Sequence, residues 1–291
     1  MLKNFPLRRR IPLGIALIVL ALAFYVFRRL PLAHVAPGFE AAELAFPIIL
    51  LAFICEFVDS SLGMGYGTTL TPLLLVFGYE PAELVPAVLF SEFVTGLAAG
   101  IFHHEFGNVN FRPGTRDFKV MLVMAALSIV GAILSVSLAV RLPALVVKVY
   151  IGLLVLGIGL WILKNHRREM SFSWRRIAGL GFLAAFNKGV SGGGYGPVVT
   201  GGQLLSGVRS ASAIGIASLA EGITSLVGIL VYLLSGSPFP WHLAPSLLLG
   251  AVLSVPLAAF AVSRIPAPRL TIAIGGLSTV LGAFTLLNLI F

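Results

Sequence analysis

Two glycine-rich stretches, GMGYG at 63–67 and GGGYG at 192–196, combine a permissive backbone with side chains that hydrogen-bond without carrying charge. The hydroxyl and amide side chains in and near them are Ser60, Ser61, Tyr66, Thr68, Thr69, Asn187, Ser191, Tyr195, Thr200 and Gln203. Such groups, together with backbone N–H groups, bind the oxygens of an anion without a permanent countercharge that would trap it. Lys188 is the one basic residue close by in the sequence. The pattern predicts a site for a small oxyanion.

Glu92 and Glu221 are a second feature with chemical potential, because each lies inside an apolar stretch with a threonine three residues further on. That spacing places the two side chains on the same helical face. A carboxylate at bilayer depth costs at least about 2.5 kcal/mol, so it normally faces a cavity, carries a proton or pairs with a cation. Both residues are therefore candidate proton carriers. The alternative is a protonated glutamate that hydrogen-bonds to backbone between packed helices.

The composition places these residues in a membrane protein. Of the 291 residues, 58% are hydrophobic and 11% are charged, and the mean hydropathy is +1.02. Apolar stretches long enough to cross about 30 Å of hydrocarbon recur along the chain. The clearest are 120–140, 210–234, 243–263 and 270–291, and a further helix is predicted at 11–30. The net charge of +9 comes from short basic clusters at helix ends, which indicates membrane topology and no nucleic-acid partner.

The chain contains an internal duplication. Residues 57–97 align with residues 186–226 without a gap at an offset of 129, and 12 of the 41 positions are identical. The matches include residues that are scarce in this chain, such as Tyr66 with Tyr195 and Glu92 with Glu221. Asp59 aligns with Lys188, and an ion pair between them would neutralise both charges; Asp59 is a third candidate for proton coupling.

The duplication predicts an all-α polytopic membrane protein made of two inverted repeats. Each repeat is a glycine-broken helical hairpin followed by three transmembrane helices. The predicted divisions are an N-terminal helix and loop at 1–40, a first repeat at 41–163, a basic cytoplasmic loop at 164–176 and a second repeat at 177–291. A hairpin plus three crossings is an odd number of transits, so the second repeat enters from the opposite side. The distribution of Lys and Arg then places the N-terminus in the cytoplasm, together with loops 103–119, 207–210 and 264–269.

The glycine runs are predicted to be buried hairpin tips, because non-helical backbone at membrane depth is tolerated only inside protein or beside water. The half-helices that follow, near 67–78 and 196–206, would point their N-termini at the protein centre, where the helix dipole favours an anion. The alternative is that the glycines only allow close helix packing. The predicted substrate-binding residues are Gly63, Gly65, Tyr66, Gly67, Thr68, Thr69, Asn187, Lys188, Ser191, Gly192, Gly193, Gly194, Tyr195, Gly196 and Gln203.

No cofactor or metal is expected. His103, His104 and Glu105 form a short cluster at a helix end, but no further ligands follow at suitable spacing. Nucleotide-binding and hydrolase motifs are also absent from the sequence.

The repeated segments resemble the sulfite exporter TauE/SafE family. The resemblance rests on GMGYGTTLTPLLLVFG at 63–78, on GGGYGPVVTGGQLLSG at 192–207 and on the two-repeat layout with a basic central loop, and it spans residues 44 to 291. It implies a permease of the bacterial inner membrane that moves small sulfur-containing anions, such as sulfite or organosulfonates, generally outward and without ATP.

Three functions are compatible with this sequence. The leading one is a secondary anion transporter that works by alternating access, with Asp59, Glu92 or Glu221 coupling transport to protons. An anion channel with the same site is the second, because conduction depends on whether both gates open together. A membrane-embedded enzyme is the third. It would need a nucleophile, a set of metal ligands or an acid–base pair at the tips, and the sequence has only uncharged hydroxyls, isolated carboxylates and Lys188 there. The sequence does not determine the oligomeric state.

Overall fold

The structure, a computed structural model, describes residues 45–64, 66–76, 79, 81–139, 144–166, 171–191, 195–234 and 239–287. The extra helix expected within residues 1–40 lies outside this part of the chain. The described residues form ten helices: α1 Phe46–Leu62, α2 Tyr66–Val76, α3 Pro81–Glu105, α4 Arg116–Ala139, α5 Ala144–Asn165, α6 Trp174–Ser191, α7 Tyr195–Leu205, α8 Ser210–Leu234, α9 Ala244–Arg264 and α10 Ala267–Leu287.

Several helices are suited to a membrane. Four contain segments long and apolar enough to cross one, namely 84–105, 210–230, 244–264 and 267–287. Large apolar side chains such as Leu160, Val280 and Phe284 are exposed on the outer surface, where lipid provides an apolar solvent. The prediction of an all-α polytopic membrane protein is confirmed.

The ten helices follow the duplication, because each of α1 to α5 has a counterpart five helices later. The bounds of α2 and α7, and likewise those of α3 and α8, differ by the offset of 129 with no further shift. The packing partners also correspond between the two repeats. Helix α1 packs on α9, and its counterpart α6 packs on α4, the counterpart of α9. Helices α3 and α5 pack on their own counterparts, α8 and α10. Helices of one repeat therefore pack largely against helices of the other.

Equivalent helices run antiparallel where they touch. Along α3 and α8, Gly100 lies against Leu219 and Leu89 lies against Gly228, so the residue number falls in one helix as it rises in the other. The contacts between α5 and α10 follow the same order. Antiparallel packing of equivalent helices is what the predicted inversion requires, and the direction of the two repeats across a bilayer stays a prediction.

The helices α6 and α7 form a hairpin whose two ends meet. The backbone N–H of Ser173 donates to the carbonyl of Ser206 at 3.1 Å, and Nη1 of Arg176 donates to the carbonyl of Leu205 at 2.6 Å. The guanidinium thereby satisfies one of the carbonyls left unpaired at the C-terminus of α7. The chain thus enters along α6 and returns along α7 to the side on which it started.

The helices α1 and α2 form the equivalent hairpin at the other end of the molecule. The backbone N–H of Ala45 donates to Oγ of Ser246 at 3.1 Å, which ties the start of α1 to the start of α9. Tyr79, just after α2, packs on the apolar cluster that contains Leu243. Both ends of this hairpin therefore lie beside the segment that precedes α9.

The loops predicted to be cytoplasmic lie together. Segments 106–115, 171–173, 206–209 and 265–266 share one end of the molecule, here called the loop face; Ser210 Oγ, for example, donates to the carbonyl of Ala267 at 3.2 Å. The basic residues on or near this face are Arg112, Arg116, Lys119, Arg175, Arg176, Arg209, Arg264 and Arg269. This clustering agrees with the charge argument, and the assignment of the face to the cytoplasm stays a prediction.

Candidate functional site

The two hairpin tips meet inside the protein. The first tip begins at Gly63, whose φ of 72° is left-handed and whose N–H caps α1 by bonding to the carbonyl of Asp59 at 2.6 Å. The carbonyl of Gly63 accepts a hydrogen bond from Thr200 Oγ1 in α7 at 2.6 Å. A Cβ on Gly196 would lie 2.6 Å from Cα of Met64, so only glycine allows this approach. In the second hairpin, α6 ends at Ser191 and α7 begins at Tyr195. The start of α7 lies against the turn that ends α1.

The half-helices begin where the duplication predicted. The expected ranges were 67–78 and 196–206, and α2 and α7 run from Tyr66 to Val76 and from Tyr195 to Leu205. Each therefore starts at the tip with its N-terminal N–H groups, which have no partner within the helix. The positive ends of both helix dipoles point toward the interior.

Carboxylates occupy the N-terminus of α2. The carboxylate of Asp59 lies close to the backbone N–H of Tyr66. Oε1 of Glu92 lies against Gly67, where an added Cβ would be 2.7 Å from it, and Oε2 of the same residue accepts from Ser225 Oγ at 3.0 Å. Negative side chains at a helix N-terminus are stabilised by the dipole. The protein's own acidic groups thus hold the position that the sequence assigns to an anion.

Glu56 belongs to the same group of carboxylates, although it is not among the site residues predicted from the sequence. Its side chain is 2% exposed; Oε1 accepts from Ser60 Oγ at 2.6 Å and Oε2 from Thr95 Oγ1 at 3.2 Å. Glu92 and Glu221 are among its charged neighbours. Glu56 and Asp59 are three residues apart on one helix, which is the signal that could have identified the pair. The four carboxylates, here called the acidic cluster (Glu56, Asp59, Glu92 and Glu221), come from α1, α3 and α8.

The two equivalent tyrosines are both buried but have different partners. The hydroxyl of Tyr66 lies 2.9 Å from Oγ of Ser91, in α3 of its own repeat. The hydroxyl of Tyr195 lies 2.7 Å from Oγ of Ser128, in α4 of the other repeat. The surroundings of the two tips therefore differ although their sequences correspond.

The second tip has the opposite charge in its sequence. Asp59 corresponds to Lys188 and Glu56 to Ala185, so two acidic positions of the first hairpin become one basic and one neutral position in the second. Lys188 lies near the C-terminal end of α6, together with Asn187 and Ser191. The side chains of these three residues, and all of Gly65, Gly192, Gly193 and Gly194, lie outside the described part of the chain, and so does the predicted contact of Asp59 with Lys188.

The remaining predicted site residues are distributed unevenly. Thr68 and Thr69 belong to the first turn of α2; the side chain of Thr68 is not among those described, and that of Thr69 is half-buried. Gln203 is fully buried in the last turn of α7, where Nε2 donates to the carbonyl of Ala213 at 3.3 Å. Eight residues separate it from Tyr195, or about 12 Å of helix. The structure therefore does not bring Gln203 to the tips.

His103 is engaged in hydrogen bonds through both ring nitrogens, to the carbonyl of Ser60 at 2.8 Å and to Nδ2 of Asn108 at 3.0 Å. Among the described residues, no three His, Cys, Asp or Glu side chains are grouped so that they could hold a metal ion.

Comparisons with known proteins identify the chain as a membrane transporter. The family model described as "Sulfite exporter TauE/SafE" matches residues 48–285. The chain is also 30% identical over 257 residues, covering 83% of each chain, to the "Probable membrane transporter protein YtnM" of Bacillus subtilis. No solved structure matches the chain. Both glycine runs and all four carboxylates lie within the matched range, and the chain belongs to the sulfite exporter TauE/SafE family of membrane transporters.

Proposed function

We propose that this protein is a secondary transporter that exports small sulfur-containing anions, such as sulfite or organosulfonates, across the bacterial inner membrane, with its N-terminus in the cytoplasm. Family membership supports the substrate class. The observation that carries the mechanism is that two half-helices, one from each repeat, begin side by side inside the protein. Sites of this kind, at the interface of inverted repeats, serve alternating access in other transporters.

The anion binds at the second tip in this proposal. Two unit charges of like sign 4 Å apart repel by about 4 kcal/mol at an effective dielectric constant of about 20. That repulsion exceeds the roughly 1.5–3 kcal/mol that a hydrogen bond to a charged group contributes. While Asp59 and Glu92 are ionised, an oxyanion is therefore disfavoured at α2. The residues of the proposed site are Asn187, Lys188, Ser191, Gly192, Gly193, Gly194, Tyr195 and Gly196.

The first tip serves proton coupling. Tyr66 and Gly67 adjoin carboxylates there, and Gly63, Gly65, Thr68 and Thr69 are their neighbours in the sequence. Because the tips touch at Met64 and Gly196, an anion at α7 is close to the acidic cluster. A proton bound by the cluster removes a repulsive charge, so proton and anion binding assist each other and each raises the affinity for the other equally.

Replacing Lys188 with alanine is expected to weaken anion binding about tenfold or more, since it removes one charged hydrogen-bond donor. Lys188→Arg, which keeps the charge, should retain most of the affinity. The measurement is counterflow of labelled sulfite in proteoliposomes, driven by unlabelled sulfite. Equal affinity in the wild type and both variants would show that Lys188 is structural. A high-conductance current that is not coupled to exchange would favour an anion channel over a transporter.

Binding of methanesulfonate is expected to tighten as the pH falls, because this ligand keeps its charge while the acidic cluster takes up protons. Glu92→Gln and Glu221→Gln, which imitate the protonated side chain, should flatten this pH dependence and keep the affinity high at neutral pH. Isothermal titration calorimetry at several pH values measures the effect. An unaltered profile in both variants removes these residues from the proton path.

A further inference from the structure

Asn108 joins the two repeats at the loop face. It is buried between α3 and α4, and its carbonyl accepts from Nη2 of Arg209 at 2.8 Å and from Oγ of Ser212 at 3.3 Å. Oγ of Ser212 also lies 3.1 Å from Oδ2 of Asp117, so its single proton is shared between two acceptors. Asn108 and Asp117 belong to the first repeat, and Arg209 and Ser212 to the second. These four residues are here called the loop-face latch.

The side chain of Asn108 continues this contact toward the first tip. Its Nδ2 group donates to the carbonyl of Ala259 at 2.8 Å and to Nδ1 of His103 at 3.0 Å. Because Nδ1 accepts, the ring proton is on Nε2, which donates to the carbonyl of Ser60 at 2.8 Å. That carbonyl is one of the last four of α1, which have no partner within the helix. Hydrogen bonds thus connect the latch to the end of the broken helix.

The same path ends at the acidic cluster. Ser60, whose carbonyl accepts from His103, donates its hydroxyl to Oε1 of Glu56 at 2.6 Å. On the other side, α8 lies directly on the histidine: a Cβ added to Gly215 would be 3.0 Å from Cβ of His103 and 2.8 Å from Cγ1 of Val109. Movement of α8 away from α3 at the loop face would therefore remove the latch and the support of His103 together.

We propose that the loop-face latch is the gate that closes the loop face, and that His103 is a positioning residue that ties the state of this gate to the first tip. The inference rests on the proposed alternating access. The repeats must separate on one face at a time, and the contacts of Asn108 and Asp117 with the second repeat are polar contacts that hold the loop face shut. Opening toward this face breaks them and releases the carbonyl of Ser60.

A disulfide across the latch tests the gate. Asp117→Cys and Ser212→Cys are combined in a Cys55→Ala background, since Cys55 is the one native cysteine. Oxidation is expected to reduce counterflow of labelled methanesulfonate, which unlike sulfite does not cleave disulfides, to that of empty liposomes, and reduction to restore it. Methanesulfonate should still raise the melting temperature of the cross-linked protein. The two single-cysteine variants are the matched controls and should ignore the oxidant. Counterflow that continues after the disulfide is verified on a gel would overturn the gate.

A second pair of variants tests His103 without a cross-link. His103→Phe keeps the volume but removes both hydrogen bonds, and it is expected to lower the maximal transport rate about tenfold while KM changes little. His103→Gln, whose amide still donates, should recover part of the rate. A raised KM with an unchanged rate would contradict the positioning role. Absence of counterflow of both sulfite and methanesulfonate in the wild type would instead overturn the proposed function. The inference about the latch is overturned when flux persists across the verified disulfide, or when His103→Phe changes KM alone.

Discussion

Replacing Gly196 with valine is expected to abolish transport while the protein still inserts into the membrane. A Cβ at this position would lie 2.6 Å from Cα of Met64 and 2.9 Å from the carbonyl oxygen of Gly63. Both are backbone atoms that no rotamer change can move, so the tips must separate. A displacement on the order of 1 Å at a reacting site costs about 100-fold in rate, and a transport site built from converging helix ends is expected to respond similarly.

The matched control for this substitution is Gly276→Val in α10, where an added Cβ meets nothing within 4 Å. Counterflow in proteoliposomes measures transport, and size-exclusion chromatography reports whether each variant is folded. We expect counterflow to fall to background for Gly196→Val and to stay near wild type for the control. Normal counterflow in both variants would show that the tips do not need to touch.

Replacing Gly96 with valine is expected to destabilise the protein more than any other substitution at the crossing of α3 and α8. A Cβ on Gly96 would lie 2.6 Å from Cα of Gly222 and 2.6 Å from the carbonyl oxygen of Ser218. Overpacking usually costs about 1–3 kcal/mol, and because the obstacle here is backbone we expect the upper end. This crossing lies between the repeats, so its loss separates the two halves of the protein.

The two glycines at this crossing, Gly96 and Gly222, are also expected to differ in how much an alanine at each position lowers the thermal stability. A Cβ on Gly222 would be 3.1 Å from the nearest atoms of Gly96, a milder conflict. Thermal unfolding in detergent should therefore rank Gly96→Ala as less stable than Gly222→Ala. Gly157→Ala, in open space, should be close to wild type. The reverse order for Gly96 and Gly222 would contradict the packing described above.

Much of the fold followed from the sequence because the duplication carries its own geometry. Tyr66 and Tyr195 mark the start of the half-helices, and non-helical backbone at membrane depth is tolerated only inside protein or beside water. The breaks and the hairpins are visible in that alignment, whereas the pairing of equivalent helices came from the structure. The glycine runs predicted the ends of α2 and α7 to within two residues.

The occupant of the first tip could not be predicted in the same way. Sequence spacing places Glu56 and Asp59 on one helical face but does not say which helix that face meets. The approach of Asp59 to the backbone N–H of Tyr66, and that of Glu92 to Gly67, depend on how α1 and α3 pack around α2. Exposed N–H groups at the start of both half-helices predict two equivalent tips, and the acidic cluster makes the tips different.

The loop-face latch could not be predicted from the sequence either. Asn108 lies in an ordinary polar loop, and its role in the latch depends on hydrogen bonds with residues that are 101 and 104 positions away in the chain. Long-range hydrogen bonds of a backbone carbonyl carry no sequence signature, since every residue has one. Only the antiparallel packing of α3 on α8 brings these loops together.

The central claim is that an oxyanion binds at the N-terminus of α7, beside the carboxylates that hold the N-terminus of α2. Crystals of the protein soaked in selenite, an analogue of sulfite with a strong anomalous signal, test it directly. We expect one anomalous peak within hydrogen-bonding distance of the start of α7, next to Lys188, and no peak at the N-terminus of α2. A peak beside Asp59 and Tyr66, or selenite bound only at the loop face in a protein that transports sulfite, would contradict the account.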